Sequence, residues 1–384
     1  MQERISVVFV IDSLMPRGGM ESALIALAQD LSSDLPVAIY ALSGPELPAG
    51  VLPESVECVY LGVRPGPARL LRCYLPIRRV LPRPSSHKRI VAVGIWGTVA
   101  LHWARRTDMR TTVVWEHSLT AHLLQVSLKM RILWRLAGRA YGRAESVVCV
   151  SDATKAVVQR RRKRGSRTLV VANLLAPEPE GVGQAPTTKD EAPLRLLGVG
   201  ALTHDKNWAL AIEALRFLPD DTRLAIAGEG PEHAPLARLI NELNLAKRVE
   251  LLGYRTDIQG LLVGADVLVH PSQSETFGYS LFEAAQAHVP VAVCDFPVMN
   301  EVVSRYVPGV VSPADAASFA AATRSAARIA AQVEIWEACG LRRQRDFSHD
   351  HVMSLWKEVL APIPGVHRET EAGPRGRASS SRRR

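Results

Sequence analysis

The chain has 384 residues, 47% of them hydrophobic and 22% charged, a length and balance that suit a globular protein of two ordinary domains. No apolar run approaches the roughly 18 residues a spanning helix needs. The N-terminus enters a strand pattern with no secretory-signal layout, and Cys58, Cys73, Cys149, Cys294 and Cys339 lack metal-ligand spacing, so a cytoplasmic protein with reduced thiols and no metal site is expected. A net charge of +9 raises the question of nucleic acid, but aromatic residues are only 5% and no binding-module motif is present, so no nucleic-acid partner is expected.

In chain order, short apolar, β-branched runs alternate with helical patterns. The first set of strands is expected at Val7–Asp12, Val37–Leu42, Val56–Leu61, Ile90–Ile95, Thr111–Glu116, Ser146–Val150 and Thr168–Ala172. Met20–Leu31 carries the helical stripe Leu24, Leu27, Ala28 and Leu31. Residues 177–193, rich in Pro and Gly, read as a linker. The alternation then restarts at Leu194–Val199, Arg223–Ala227, Val249–Leu252, Asp266–His270, Pro290–Cys294 and Val310–Val311. Strands that are apolar on both faces and separated by helices imply parallel sheets, and two series across a linker imply two doubly wound domains facing a cleft. The tail 363–384, ending Ser-Ser-Ser-Arg-Arg-Arg, is expected to be disordered. Arginines interleave with leucines over 64–83, and with Leu133, Trp134 and Leu136 over 129–143; Arg160–Arg164 is purely cationic. Such stretches are either solvated helix faces or helices lying on an anionic membrane surface.

Ligands of parallel sheets sit beyond the carboxyl ends of the strands. Four loops there carry candidate chemistry. Pro16-Arg17-Gly18-Gly19-Met20-Glu21 puts two glycines at a helix start, which is either a tight turn or an anion site. His117 follows the strand Thr111–Glu116, as a structural histidine or as a partner of a substrate hydroxyl. Lys206, in Gly200-Ala201-Leu202-Thr203-His204-Asp205-Lys206-Asn207, is a cation at a helix start, which suits a visiting diphosphate or a pairing with Asp205. Glu275 and Glu283 flank Phe277-Gly278-Tyr279-Ser280, whose amides begin a helix. One carboxylate can accept from sugar hydroxyls and the other from a ribose, with phosphates between.

The ordered set Gly200…Lys206-Asn207, Gly228-Glu229-Gly230-Pro231, Pro271-Ser272, Glu275-x-Phe277-Gly278…Glu283, Pro290-Val291 and Glu301 resembles the C-terminal domain of retaining glycosyltransferases of family 4. Gly18-Gly19-x-Glu21, Trp115-Glu116-His117 and Val150-Ser151 match the N-terminal half more weakly, and Phe347…Trp356…Val359 resembles the family's last helix. The resemblance implies the α/β GT-B fold, two Rossmann-like domains facing a cleft. On this chain that gives an acceptor-side domain over 1–176, a nucleotide-sugar domain over 194–345 and a helix over 346–362 crossing back. It further implies that Glu275 and His117 contact the donor sugar and that Glu283 binds the ribose. Lys206, with the amides near Phe277, Gly278, Tyr279 and Ser280, would hold the diphosphate, against which Gly18 and Gly19 lie. The donor would be a UDP- or GDP-linked sugar, with no cofactor beyond that co-substrate and no metal. The acceptor would be a lipid-linked sugar, a polysaccharide or a small molecule, placing the protein in the cytoplasm or on the inner face of the membrane.

Two positions depart from the family pattern. Ala201 stands where an arginine usually helps the lysine, a loss that could cost about 3 kcal/mol of transition-state stabilisation, with His204 or Arg17 as candidate substitutes. His288 replaces a glycine at a helix end. The alternative to an active enzyme is a weak homologue serving as a nucleotide-sugar- or membrane-binding partner subunit.

Overall fold

The computed structural model describes residues 5–15, 18–64, 66, 68–82, 88–105, 108–117, 128–162, 166–177 and 194–361. The linker beyond residue 177, the tail from 363, Arg17 and the residues directly after His117 lie outside them.

The first sheet comprises β1 (Ser6–Ser13), β2 (Val37–Ser43), β3 (Val56–Tyr60), β4 (Lys88–Val93), β5 (Thr112–Glu116), β6 (Ser146–Cys149) and β7 (Arg167–Val170), in the order β3-β2-β1-β4-β5-β6-β7. The second comprises β8 (Arg195–Val199), β9 (Arg223–Ala227), β10 (Val249–Gly253), β11 (Val267–His270), β12 (Val291–Cys294) and β13 (Gly309–Ser312), in the order β10-β9-β8-β11-β12-β13. All these pairings are parallel; Val8 pairs with Ala38 on one side and Ile90 on the other. Around the sheets lie α1 (Gly19–Leu31), α2 (Arg69–Val80), α3 (Gly94–Ala104), α4 (Leu128–Tyr141), α5 (Asp152–Arg161), α6 (Trp208–Ala214), α7 (His233–Glu242), α8 (Ile258–Val263), α9 (Tyr279–Gln286), α10 (Pro297–Arg305), α11 (Ala316–Ile329), α12 (Val333–Phe347) and α13 (His349–Leu360).

The two-residue period of a strand explains the layering. In β1, Val7, Phe9 and Ile11 face a core with Leu24 and Leu27 of α1, while Val8 and Val10 face Cys73 and Ile77 of α2, Val99 of α3 and Trp134 of α4. In the second sheet, Val267 and Val269 pack with Ile212, Leu236 and Phe319, and Leu268 points the other way, toward Leu281 and Phe282 of α9. The core behind β1 and the core behind α9 are continuous, so the domains share one apolar cluster across the cleft.

The strand expected over Ile90–Ile95 ends at Val93. Gly94, at φ +65°, turns the chain into α3, and Gly97 lies so close to the Val10 carbonyl that a Cβ would collide with it. The last helix starts three residues later than the sequence pattern suggests, because Phe347 closes α12 by packing against Phe282 and Tyr306, at 4.9 and 4.7 Å between ring centroids. Beyond it, Trp356 of α13 is buried edge-on against Trp115 of β5, 4.8 Å away, and the Arg89 guanidinium donates to the Val359 carbonyl at 3.3 Å. The last described helix thus packs onto the first domain. Among the described residues no helix is long and apolar enough to cross a membrane.

Strand order reverses between β1 and β4 and again between β8 and β11. The loops after these four strands line the crevices where parallel sheets take ligands.

Candidate active site

Lys206 does not begin a helix, as its sequence context suggests. It closes a short turn, His204–Lys206, and Asn207 at φ +53° redirects the chain into α6. Backbone proximity fixes this loop. A Cβ on Gly228 or Gly230 would collide with the carbonyls of Gly200 and Leu202, so the Gly228-Glu229-Gly230 motif lets the loop after β9 support the loop after β8. From below, the Trp208 indole donates to the Ala201 carbonyl at 2.9 Å. Lys206 Nζ then reaches Glu275 Oε2 at 2.7 Å, with both side chains about four-fifths buried. The pairing with Asp205 that the sequence left open is not formed; the Asp205 carbonyl instead accepts from the Gln273 amide at 2.8 Å and ties the two loops together.

Glu275 is held from three sides. The Thr276 amide donates to Oε1 at 3.0 Å, Lys206 pairs with Oε2, and His270 Nε2 lies 3.5 Å from Oε2. Burial acts to raise its carboxyl, but the adjoining imidazole and ammonium outweigh it and hold the group well below the usual carboxylate range. His270, buried at the end of β11, is pushed down chiefly by burial and is neutral at pH 7. Gly278, at φ +85°, ends the loop, and α9 starts at Tyr279 with no side chain capping its first amides. The Ser280 hydroxyl lies 3.5 Å from His270 Nδ1. Glu283 stands one turn into α9. Burial raises its carboxyl, and it has no hydrogen-bond or ion-pair partner among the described residues.

The Phe277 ring is buried in the shared core, stacked on Phe282 at 4.9 Å, so what it can offer a donor is its backbone, as the motif implies. Tyr279 is the residue that faces across the cleft. Its ring lies 3.5 Å from where a Cβ on Gly19 would stand, an ordinary contact distance, so the start of α1 and the start of α9 meet across the cleft. Burial, and secondarily the charge of Glu283, raise its hydroxyl, which also lies beside Asn173.

The glycine turn ahead of α1 is partly filled from within. The Glu21 carboxylate folds back over Gly18, where a Cβ would collide with it; burial raises this carboxyl, and its own backbone amide offsets that in part. His117 is buried at the end of β5 with its ring 4.5 Å from Trp115. Burial lowers its pKa to about 3, and Nε2 is without a partner among the described residues. No described contact joins it to the Lys206–Glu275 pair. Glu116 is turned away from the cleft and accepts from the Tyr141 hydroxyl. His270 and Asn173 went unmarked in the sequence; a polar residue closing a buried parallel strand was the available signal for His270. Among the described residues no group of three His, Cys, Asp or Glu side chains is placed to hold a metal ion.

The profile of the "Glycosyltransferase Family 4" family matches residues 17–178, and that of "Glycosyl transferases group 1" matches residues 184–336. The chain belongs to the family 4 glycosyltransferases of the GT-B type. Its two profile matches divide the site, with Gly18, Gly19 and His117 in the first and Lys206, Glu275 and Glu283 in the second. It is 26% identical over 274 residues to a 2-deoxystreptamine glucosyltransferase of Streptomyces kanamyceticus, covering 67% of each chain. It is 34% identical over 115 residues to a GDP-mannose-dependent phosphatidylinositol dimannoside mannosyltransferase of Mycobacterium tuberculosis, covering 28% of this chain and 29% of that protein. In structure it resembles HepE of Anabaena in complex with UDP and glucose (TM-score 0.73, 20% identity, 94% and 100% of the two chains). A sucrose-phosphate synthase of Thermosynechococcus elongatus is similar at TM-score 0.75, with 16% identity over 94% of this chain and 100% of that one. These likenesses establish the two-domain fold of this glycosyltransferase.

Proposed function

We propose that the protein transfers a sugar, with retention at the anomeric carbon, from a UDP- or GDP-linked donor lying across the Lys206–Glu275 pair and the start of α9. The carrying observation is the contrast between two carboxylates on either side of the start of α9. Glu275 is fixed and ionised beside a cation, and Glu283 is half-buried without a partner among the described residues. A sugar hydroxyl suits the first, and ribose hydroxyls suit the second. Lys206 and the uncapped amides of Tyr279 and Ser280 supply positive potential where the departing diphosphate gains charge, so this reading assigns no step to a metal. The UDP and glucose bound to HepE and the GDP-mannose named for the mycobacterial relative support this class of donor. Calorimetry with a panel of nucleotide-sugars tests it. Lys206→Ala/Glu283→Ala should abolish binding of the preferred donor, and unchanged affinity ends the proposal. The anomeric configuration of the product, read by NMR, decides retention.

A lipid-linked acceptor, met at an anionic membrane surface, is the acceptor side of the proposal. α2 and α4 lie on the outer side of the first sheet, and neither carries an acidic residue. On α2, Leu71 and Leu75 are exposed beside Arg72, Arg78 and Arg79; on α4, Leu128 and Ile132 are exposed beside Arg131 and Arg135. Spacings of three, four and seven residues put each group on one helix stripe, with Trp103 of α3 exposed on the helix between. Phosphatidylglycerol vesicles should co-sediment the protein and phosphatidylcholine vesicles should not. Equal binding of Leu71→Ser/Leu75→Ser and the parent chain would remove this part.

A further inference from the structure

Away from the donor site, one cross-domain contact joins charge to backbone. α5 follows β6, with Ser151 as its N-cap, and the amides of its first two residues are answered by the other domain. Glu301 of α10 accepts from the Asp152 amide at 3.1 Å and from the Ala153 amide at 2.9 Å, one on each carboxylate oxygen. A carboxylate is the favourable partner at a helix N-terminus, where unpaired amides and the helix dipole carry positive charge. Arg305, one turn along α10, pairs with Asp152 at 3.1 Å on the exposed rim.

Beside it, Ser151 donates its hydroxyl proton to the Thr276 carbonyl at 3.2 Å while accepting from the Thr154 amide at 3.2 Å. Thr276 is also the residue whose amide holds Glu275 Oε1. A short path therefore runs from Glu301, through the start of α5, to the loop that carries the sugar-facing carboxylate.

We infer that Glu301 is a positioning residue: with Ser151 it forms a clasp that fixes how far the two domains close and steadies the Glu275 loop from the first domain. A local cap does not require this residue, because Ser151 already serves the Thr154 amide. Glu301 takes the two amides that Ser151 leaves open, and it comes from the opposite side of the cleft. Opening the cleft at this point breaks both Glu301 bonds and the Ser151–Thr276 bond together. Closing must re-form all three in one geometry. Such a contact acts as a defined stop that brings Gly19 against Tyr279, rather than as a sliding surface. The consequence for turnover rests on the proposed donor site; the clasp itself does not.

The test uses the full chain with Glu301→Ala, Glu301→Gln and Arg305→Ala. Residue-resolved hydrogen exchange should show the Asp152 and Ala153 amides protected in the parent chain. In Glu301→Ala they should exchange about tenfold faster, with the inner turns of α5 unchanged. Glu301→Gln, which keeps the shape and one acceptor oxygen, should fall between, and Arg305→Ala should match the parent. X-ray scattering should give a larger radius of gyration for Glu301→Ala. Sugar release from UDP-glucose should show kcat reduced about tenfold, with UDP affinity within about twofold because Lys206 and Glu283 are untouched. Unchanged exchange and radius in Glu301→Ala would overturn the clasp. Faster exchange with parental kcat would overturn the positioning role, and so would UDP affinity falling in step with kcat. Where GDP-mannose and not UDP-glucose is the donor, the same comparison is made with GDP-mannose and GDP; if the parent chain releases sugar from neither, the donor assignment fails while exchange and scattering still decide the clasp.

Discussion

The cation assigned to the donor diphosphate is already paired within the protein, because Lys206 Nζ sits 2.7 Å from Glu275. Replacing Glu275 with glutamine keeps the side chain's size and removes its charge. A diphosphate bound at Lys206 would lie about 6 Å from the Glu275 carboxylate, where like charges repel by roughly 3 kcal/mol at an effective dielectric constant of about 20. Both side chains keep some exposure, 20% and 17%, so solvent screening reduces that figure. Halving it leaves about 1.4 kcal/mol, or tenfold in affinity. Glu275→Gln should therefore bind the bare nucleoside diphosphate about tenfold more tightly than the parent chain. The complete donor gains nothing net, because the glutamine forfeits a charge-assisted bond to a sugar hydroxyl of about 1.5–3 kcal/mol. Transfer should fall about a hundredfold as the sugar loses its orientation. Titration calorimetry with UDP and UDP-glucose, or GDP and GDP-mannose, at fixed low salt measures both affinities. Parallel weakening of diphosphate and donor would refute the reasoning, since it would mean that Glu275 does not oppose the phosphate charge.

Two other outcomes follow from the fold around the site. His117 titrates near 3 when folded and near 6.5 when unfolded, so below pH 6.5 the unfolded chain binds the extra proton. Its stability contribution is complete above pH 6.5 and is lost as the pH falls toward 3, at about 1.4 kcal/mol per pH unit. Urea titrations at pH 7 and pH 5 should show a shallower acid loss in His117→Gln. Trp356→Ala, which removes the buried ring stacked edge-on against Trp115, should cost about 3–5 kcal/mol in the same assay.

The strands were legible because a parallel strand covered on both faces is a bare apolar run, and the run that became β11 and its loop already displayed Glu275, Gly278 and Glu283 in order. The misplaced end of β4 shows the limit of that signal. Gly94–Ala104 is apolar nearly all round, since α3 is wedged between β1, α2 and α4, so Ile95 carries no helical stripe to separate it from a strand. The pairing of Lys206 with Glu275 rather than Asp205 was not legible either, because it joins residues 69 positions apart through the supports under two loops. The folding of Glu21 over Gly18 and the reach of Glu301 to α5 are likewise matters of side-chain direction and tertiary distance, which residue spacing does not encode.

The loop at Ala201 bears on how fast such a site can work. Its carbonyl is held by Trp208 and its side chain is exposed, so the loop keeps its shape without an arginine, and what is missing is charge rather than geometry. The start of α9 offers about half an elementary charge, and in the proposed site Lys206, already paired with Glu275, would divide its own charge between that carboxylate and the diphosphate. On that proposal a leaving group that gains negative charge would be less stabilised than with two cations. Ala201→Arg adds the second cation at an exposed position with little expected effect on folding, and should raise kcat about tenfold, a fraction of the 10²–10³ that one preorganised donor can supply. Steady-state rates with the preferred donor check this. An unchanged kcat, with the arginine variant folded and binding donor normally, would mean that the potential at the diphosphate is already complete and that Lys206 is not its principal source.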